Sequence, residues 1–152
     1  MFHIRKVSGG LFTEGLLPTL QAGATVKLEG PLGACTWQHD DQRPLILFAT
    51  GTGYAGIKPL LLTALAGNAD VTLYWGGSSP ADFYDREFLD VSSRVHPHFR
   101  WQPVLSAQAR IQQVALSQTQ RWGETQVYAC GNATMISLSL IHISEPTRPE
   151  RI

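Results

Sequence analysis

The stretch LILFATGTGYAGIKP, Leu45–Pro59, decides the fold. Five apolar residues, Leu45–Ala49, run through Thr50 into Gly51-Thr52-Gly53-Tyr54-Ala55-Gly56, and a helical pattern follows over Ile57–Ala66. A short continuous apolar run that ends in a glycine turn reads as a strand buried on both faces. Pro59 is expected in the first turn of the helix, where its missing N–H costs nothing. Glycine allows a sharp turn and lets backbone N–H groups come close to phosphate oxygens. A helix start adds unpaired N–H donors and the positive end of the helix dipole. GxGxxG alone is a weak pattern, but a strand before it and a helix behind it make it a dinucleotide loop. The competing reading is a glycine turn needed only for close packing.

The same alternation repeats downstream. Val71–Trp75, Phe99–Leu105 and Gln126–Cys130 read as further strands. Pro80–Val91 reads as a helix capped by Ser79, with Asp82 in its first turn. Ser106–Leu116 reads as another, capped by Ser106. Strand-then-helix units with short connections predict an α/β fold, a doubly wound parallel sheet covered on both faces. Such sheets bind ligands at the carboxyl ends of their strands, near the topological switch.

The other strand ends are therefore candidate site segments. Gly76, Gly77, Ser78 and Ser79 follow the second strand, where a dinucleotide puts its adenosine ribose. No Asp or Glu stands at Gly76–Ser79, the place of the ribose-binding acid in an ordinary NAD site, and Asp70 precedes the strand. No Arg stands there to grip a 2′-phosphate, which favours NADH over NADPH, although Arg86 and Lys58 can bring charge from a helix. Ser78 and Ser79 also read simply as a turn and a helix cap. At the fourth strand, Gly131 permits close backbone approach, and Cys130 offers a small polarizable side chain beside a nicotinamide ring or is plain core. Cys130 has no base at a predictable distance, so no covalent role is expected.

Bulk properties exclude several classes. The chain has 152 residues, with twelve Lys plus Arg against twelve Asp plus Glu, and 43% hydrophobic content. This is a globular composition with no electrostatic signal for nucleic acid or an anionic membrane. Cys35 and Cys130 form neither a disulfide framework nor a metal or iron–sulfur motif, and His96-Pro97-His98 reads as a loop, so no metal site is expected. No signal peptide or apolar run of transmembrane length stands out, and a cytoplasmic location is the default expectation.

The chain divides into three parts. Residues 1–36 hold strand-like pieces at Phe2–Val7 and Thr25–Glu29 around a short helical stretch, Thr13–Leu20. That is too little to close a barrel, and it reads as the end of an all-β domain. Residues 37–136 are the strand–helix domain, without a last strand. Residues 137–152 break the pattern, and within them Ser144–Ile152 is polar and follows no period of 2 or 3.6.

Seven pieces in order resemble the ferredoxin–NADP reductase superfamily, nearest to flavin reductases and reductases related to CDP-6-deoxy-glucoseen reductase. They are Gly9-Gly10-Leu11-Phe12-Thr13, Leu28-Glu29-Gly30-Pro31-Leu32-Gly33, Ala49–Gly53, Leu73–Gly77, Asp82–Asp85, Pro103–Leu105 and Val127–Gly131. The resemblance implies a flavin-binding β-barrel ahead of the nucleotide domain, with FAD and NAD(P)H as cofactors. It implies that Gly9, Gly10 and Thr13 help hold the flavin pyrophosphate. Thr50, Gly51, Thr52 and Gly53 would seat the nicotinamide nucleotide, with Thr52 near the nicotinamide. Cys130 and Gly131 would flank that ring, Gly76, Gly77 and Ser78 would meet the ribose, and Tyr84 would lie near the adenosine. Hydride would pass from the nicotinamide to the flavin and onward to free flavin or an iron–sulfur acceptor, in a domain or protein partner. Arg5 is not followed by the Tyr-Ser of the family's flavin motif, Gly56 replaces a common Pro, and Ser78 replaces a frequent Arg. The stretch LIHISEPTR, Leu140–Arg148, resembles translated sequencing-adapter sequence, so the chain reads as a gene fragment with an artefactual end.

The leading expectation is thus an NAD(P)H-dependent flavoprotein reductase as the intact product, with the fragment itself inactive. The rivals are a non-catalytic dinucleotide-binding or regulatory module and a flavodoxin-like domain with another ligand. The pieces within residues 9–33 argue against the last.

Overall fold

Leu45, Ile46, Leu47, Phe48 and Ala49 are all at most 4% exposed. They fill strand β1 (Leu45–Thr50), which lies inside a parallel sheet and is therefore covered on both faces. The computed structural model describes residues 2–30, 36, 42–119 and 121–137. Its other strands are β2 (Val71–Gly77), β3 (Phe99–Leu105) and β4 (Gln126–Cys130), and the sheet runs β3-β2-β1-β4, all parallel. The sheet grows from β1 outward through β2 to β3, then the chain returns to set β4 on the other side of β1. That reversal puts the topological switch between β1 and β4. Ala49 pairs with Cys130 and Thr50 with Gly76, so the candidate segments end side by side at one edge of the sheet.

Side chains alternate along each strand, so each face builds its own core. Ile46, Phe48, Tyr74 and Val104 pack with Ile111 and Ala115 of α3 (Ile111–Gln118), together with Trp122 and Met135. Leu45, Leu47, Leu73 and Trp75 alternate with these and turn to the opposite face. There α1 (Tyr54–Ala66) runs along β1, its Tyr54 ring stacked on Trp75. Helix α2 (Arg86–Val95) follows β2 and lies against β3. No helix among the described residues is long and apolar enough to cross a membrane.

The α/β class and the strands stand as expected, and the helix starts need correction. Helix α1 begins at Tyr54, three residues before the apolar periodicity, so Pro59 sits inside the helix rather than in its first turn. A 3₁₀ turn over Gly51–Gly53 feeds the chain directly into helical geometry. The expected helix Pro80–Val91 splits into a 3₁₀ turn, Pro80–Asp82, and α2, which runs on to Val95. Ser106 caps no helix: its N–H bonds the Gly77 carbonyl, and α3 starts only at Ile111.

The chain separates into two units, 1–37 and 38–152. In the first, no described residue is buried, and Phe2, Ile4, Leu11, Phe12, Val26 and Leu28 are exposed. Phe2–Val7 and Thr25–Glu29 are not strands. A strand exists only through a partner's ladder, and no described strand offers one to them. The expected helix over Thr13–Leu20 is a π-type turn, Leu11–Leu16, followed by a 3₁₀ turn, Leu17–Thr19. Gly15 and Pro18 interrupt a regular α-helix there. The 37–41 stretch, Pro31-Leu32-Gly33 of the resemblance, Cys35 and the segment 138–152 lie outside the described residues.

Candidate dinucleotide site

At the switch point, two loops are pressed together. Gly53 could not carry a side chain: a Cβ there would run into the Cys130 carbonyl and lie 2.7 Å from the Gly131 Cα. Gly131 has φ +155, and a Cβ on it would collide with the Thr50 hydroxyl. That hydroxyl accepts the Asn132 N–H at 3.0 Å, tying the end of β1 to the end of β4. Gly51 has φ +52, a left-handed conformation that glycine alone adopts cheaply. Close approach thus requires Gly53 and Gly131, the turn requires Gly51, and the 3₁₀ turn and first turn of α1 bring helix-start N–H groups to this end of the sheet.

Gly56 has a packing reason. A Cβ there would lie 2.9 Å from the Cys130 sulfur, so its lack of a side chain makes room for the thiol. Cys130 itself is half-buried beside this helix start. Thr52 is also half-buried, in the 3₁₀ turn.

The end of β2 carries an aromatic cluster. Trp75 is fully buried, stacks on Tyr54 with ring centroids 4.1 Å apart, and donates its indole N–H to the Gly51 carbonyl at 3.1 Å. Phe83 and Tyr84 meet the Trp75 ring edge-on at 5.5 and 5.1 Å. Tyr84 is half exposed, whereas Tyr54 is buried and donates its hydroxyl to Asp85 at 2.7 Å. Burial, and then the Asp85 carboxylate that accepts its proton, push the Tyr54 phenol well above the usual tyrosine range. Burial raises Tyr84 as well, with the Asp85 charge adding to it.

No acid stands at Gly76–Ser79, but Asp82 reaches back to Ser78 and Ser79 as a cap. Asp82 lies beyond Gly76–Ser79 in sequence, but the Pro80–Asp82 turn folds its carboxylate back onto them. One oxygen accepts the Ser78 N–H at 2.6 Å, the Ser78 hydroxyl at 3.0 Å and the Ser79 N–H at 3.1 Å. The S/T-x-x-acid pattern at Ser79–Asp82 was the signal that could have placed it. Gly77 is needed there, since a Cβ would lie 2.9 Å from that of Asp82. Gly76 is tight against the Thr50 methyl, 3.1 Å from a Cβ. Thr50, Gly51, Thr52, Gly53, Gly76, Gly77, Ser78, Cys130 and Gly131 thus line one edge of the sheet, with Tyr84 beside Trp75.

Gly9, Gly10 and Thr13 form their own turn in the N-terminal unit. Gly9 has φ +72, and its N–H donates to the Glu14 carboxylate at 2.8 Å. The Thr13 hydroxyl accepts the Val7 N–H at 3.1 Å, and Gly10 leaves room for it. A further cavity of about 710 Å³, lined by Arg100, Gln102, Gln118 and Arg121, opens at the amino ends of β1–β3. It is at the wrong end of the sheet for the glycine loop.

A parallel sheet with a glycine loop pinched at its switch point defines a nucleotide-binding α/β domain. Residues 47–139 match the family model described as the oxidoreductase NAD-binding domain, and the chain belongs to that family. The reductase component 2 of terephthalate 1,2-dioxygenase from Comamonas sp. is 39% identical over 101 residues, 65% of this chain and 30% of that protein. The CDP-6-deoxy-L-threo-D-glycero-4-hexulose-3-dehydrase reductase of Yersinia pestis is 28% identical over 145 residues, 89% of this chain and 44% of that protein. Among solved structures, the Amycolatopsis reductase GcoB superposes with a TM-score of 0.85 at 29% identity, covering 97% of this chain and 48% of its own. The chain therefore spans 30% to 48% of the length of these reductases.

Proposed function

We propose that the sheet unit binds a nicotinamide dinucleotide, with NADH preferred, and is the pyridine-nucleotide half of a flavin-dependent reductase. The observation that carries this is the glycine loop that runs from the carboxyl end of β1 through a 3₁₀ turn straight into α1 at the switch point, where the first-turn N–H groups of a helix face an anion, while the packing of Gly53 against Cys130 and Gly131 holds the loop in place. A pyrophosphate fits such a helix start, because phosphate oxygens need close backbone donors.

The bound dinucleotide would supply a hydride for a flavin, which is the cofactors' own chemistry. The residues of this chain bind, orient and exclude water. Thr52 and Gly53 offer the loop to the pyrophosphate. Cys130 and Gly131 bound the space for the nicotinamide ring. Gly76, Gly77, Ser78 and Tyr84 serve the adenosine half. In the N-terminal unit, Gly9, Gly10 and Thr13 are proposed to hold FAD. The exposed apolar residues of residues 2–30 support reading that unit as part of a flavin barrel. An iron–sulfur domain or an electron-accepting partner protein would take the electrons, in the cytoplasm.

Asp82 carries the preference for NADH. Its carboxylate stands at the end of β2, where a 2′-phosphate would meet a like charge and a 2′-hydroxyl would not. Calorimetric titration of the chain with NADH and NADPH tests this. We expect NADH to bind more tightly, and Asp82→Asn to narrow the NADH-to-NADPH affinity ratio by about tenfold or more. Equal affinities in the unsubstituted chain would remove the preference, and no binding of either would remove the proposal. In the flavin-bearing protein, NADH binding without flavin reduction would leave the non-catalytic module as the better reading.

A further inference from the structure

We infer that Trp75, held from behind by Tyr54, Asp85 and Lys58, sets the polarity of the glycine loop by keeping the Gly51 carbonyl turned into the domain. This inference rests on the dinucleotide reading and assigns positioning residues to it. A loop that receives a pyrophosphate must present N–H groups and hide carbonyls, since an outward carbonyl repels the anion. Gly51 is the weak point. With no Cβ and φ +52, its following peptide can swing either way at little cost.

The fold resolves that choice with two donors. The Gly51 carbonyl accepts the Tyr54 N–H in the helix start and the Trp75 indole N–H at 3.1 Å. The second bond comes from a different strand, so the sheet itself fixes the orientation of the loop peptide. Trp75 can do this because its ring cannot turn: it is fully buried, stacked on Tyr54 with planes 16° apart, and edged by Phe83 and Tyr84.

Behind Trp75 stands a polar brace. Tyr54 donates to Asp85 at 2.7 Å, and Lys58, one turn along α1, donates to the same Asp85 oxygen at 2.6 Å. The Lys58 ammonium lies 4.4 Å from the centre of the Phe88 ring. Helix α1 and the start of α2 are thereby locked together, and the Tyr54 ring is clamped against Trp75. The line Asp85–Tyr54–Trp75–Gly51 runs from helix to loop, and none of the first three is required to touch the nucleotide.

The test removes the indole N–H and leaves the ring stack, as Trp75→Phe. Affinities for ADP-ribose and for adenosine are measured on the full chain, with the Thr52 amide resonance of the free protein recorded in parallel. We expect Trp75→Phe to weaken ADP-ribose by about tenfold, leave adenosine within about twofold, and move the Thr52 amide. Tyr54→Phe, which keeps the stack but releases Asp85, should show the same selectivity with a smaller loss, and it carries the test if Trp75→Phe fails to fold. If the unsubstituted chain binds ADP-ribose and the variants bind it equally well with the Thr52 amide unmoved, the positioning role is overturned and the dinucleotide reading survives. A parallel loss of both ligands also overturns it, because that is a general structural effect. If the unsubstituted chain binds no ADP-ribose, both fall together.

Discussion

Gly53 shows how narrow the tolerance at this site is. Its missing side chain is the space through which the β4 carbonyl of Cys130 passes, and backbone on both sides cannot yield. Gly53→Ala should lower unfolding stability by about 1–3 kcal/mol in chemical denaturation, through overpacking. Gly123→Ala is the control, because nothing lies within 4 Å of a Cβ there, and it should stay within about 0.5 kcal/mol of the parent. Equal stabilities for the two would mean that the pinch at the switch point is not as tight as the structure has it. The GxG spacing marked Gly53 as functional, but only the returning strand shows what its missing side chain makes room for.

At the scale of elements, boundaries moved while the four strands of the sheet held, whereas the strand-like pieces Phe2–Val7 and Thr25–Glu29 are not strands. β1 and β2 were legible because strands buried on both faces are almost wholly apolar, as in Leu45–Ala49, whereas β3 and β4 are only partly buried and carry Arg100, Gln102 and Gln126. The start of α1 was read too late, since Tyr54 is buried on the same stripe as Ile57 and Leu61 but sits inside the glycine loop, between Gly53 and Gly56. The consequence is Pro59 inside α1, where it leaves the Ala55 carbonyl without its i+4 amide donor. Pro59→Ala should therefore raise stability, by about 1–3 kcal/mol, read as a higher denaturation midpoint with unchanged slope. A lower midpoint would show that the ring of Pro59 contributes more than the hydrogen bond it removes. The split of the expected Pro80–Val91 helix has a similar cause. Asp82 bonds backward to Ser78 and Ser79, and α2 restarts only at Arg86, beyond Phe83, Tyr84 and Asp85.

For the whole molecule, the two faces of the sheet carry tyrosines whose ionisation is coupled to folding. Tyr54 and Tyr74 are buried, and burial raises both phenols above the ordinary value. A raised folded pKa means that the folded state holds its proton more tightly than the unfolded chain. The associated stability is complete below about pH 10, the ordinary tyrosine value, and is lost as pH rises beyond it. Denaturation midpoints should therefore fall steeply above about pH 10, and Tyr54→Phe should flatten that fall. An unchanged slope in the variant would remove Tyr54 as its source.

The sequence by itself determined the parallel α/β class, the glycine loop and the order of the motifs, because each is written in contiguous residues with local conformational preferences. Tertiary structure alone decided which strands are neighbours. It brought Cys130 against Gly53 and Gly56, and the Trp75 indole onto the Gly51 carbonyl. These contacts depend on strand register and crossover, which join residues 24 to 77 positions apart. No local propensity encodes a distance between groups that far apart in the chain; the packing of the two cores on the sheet does.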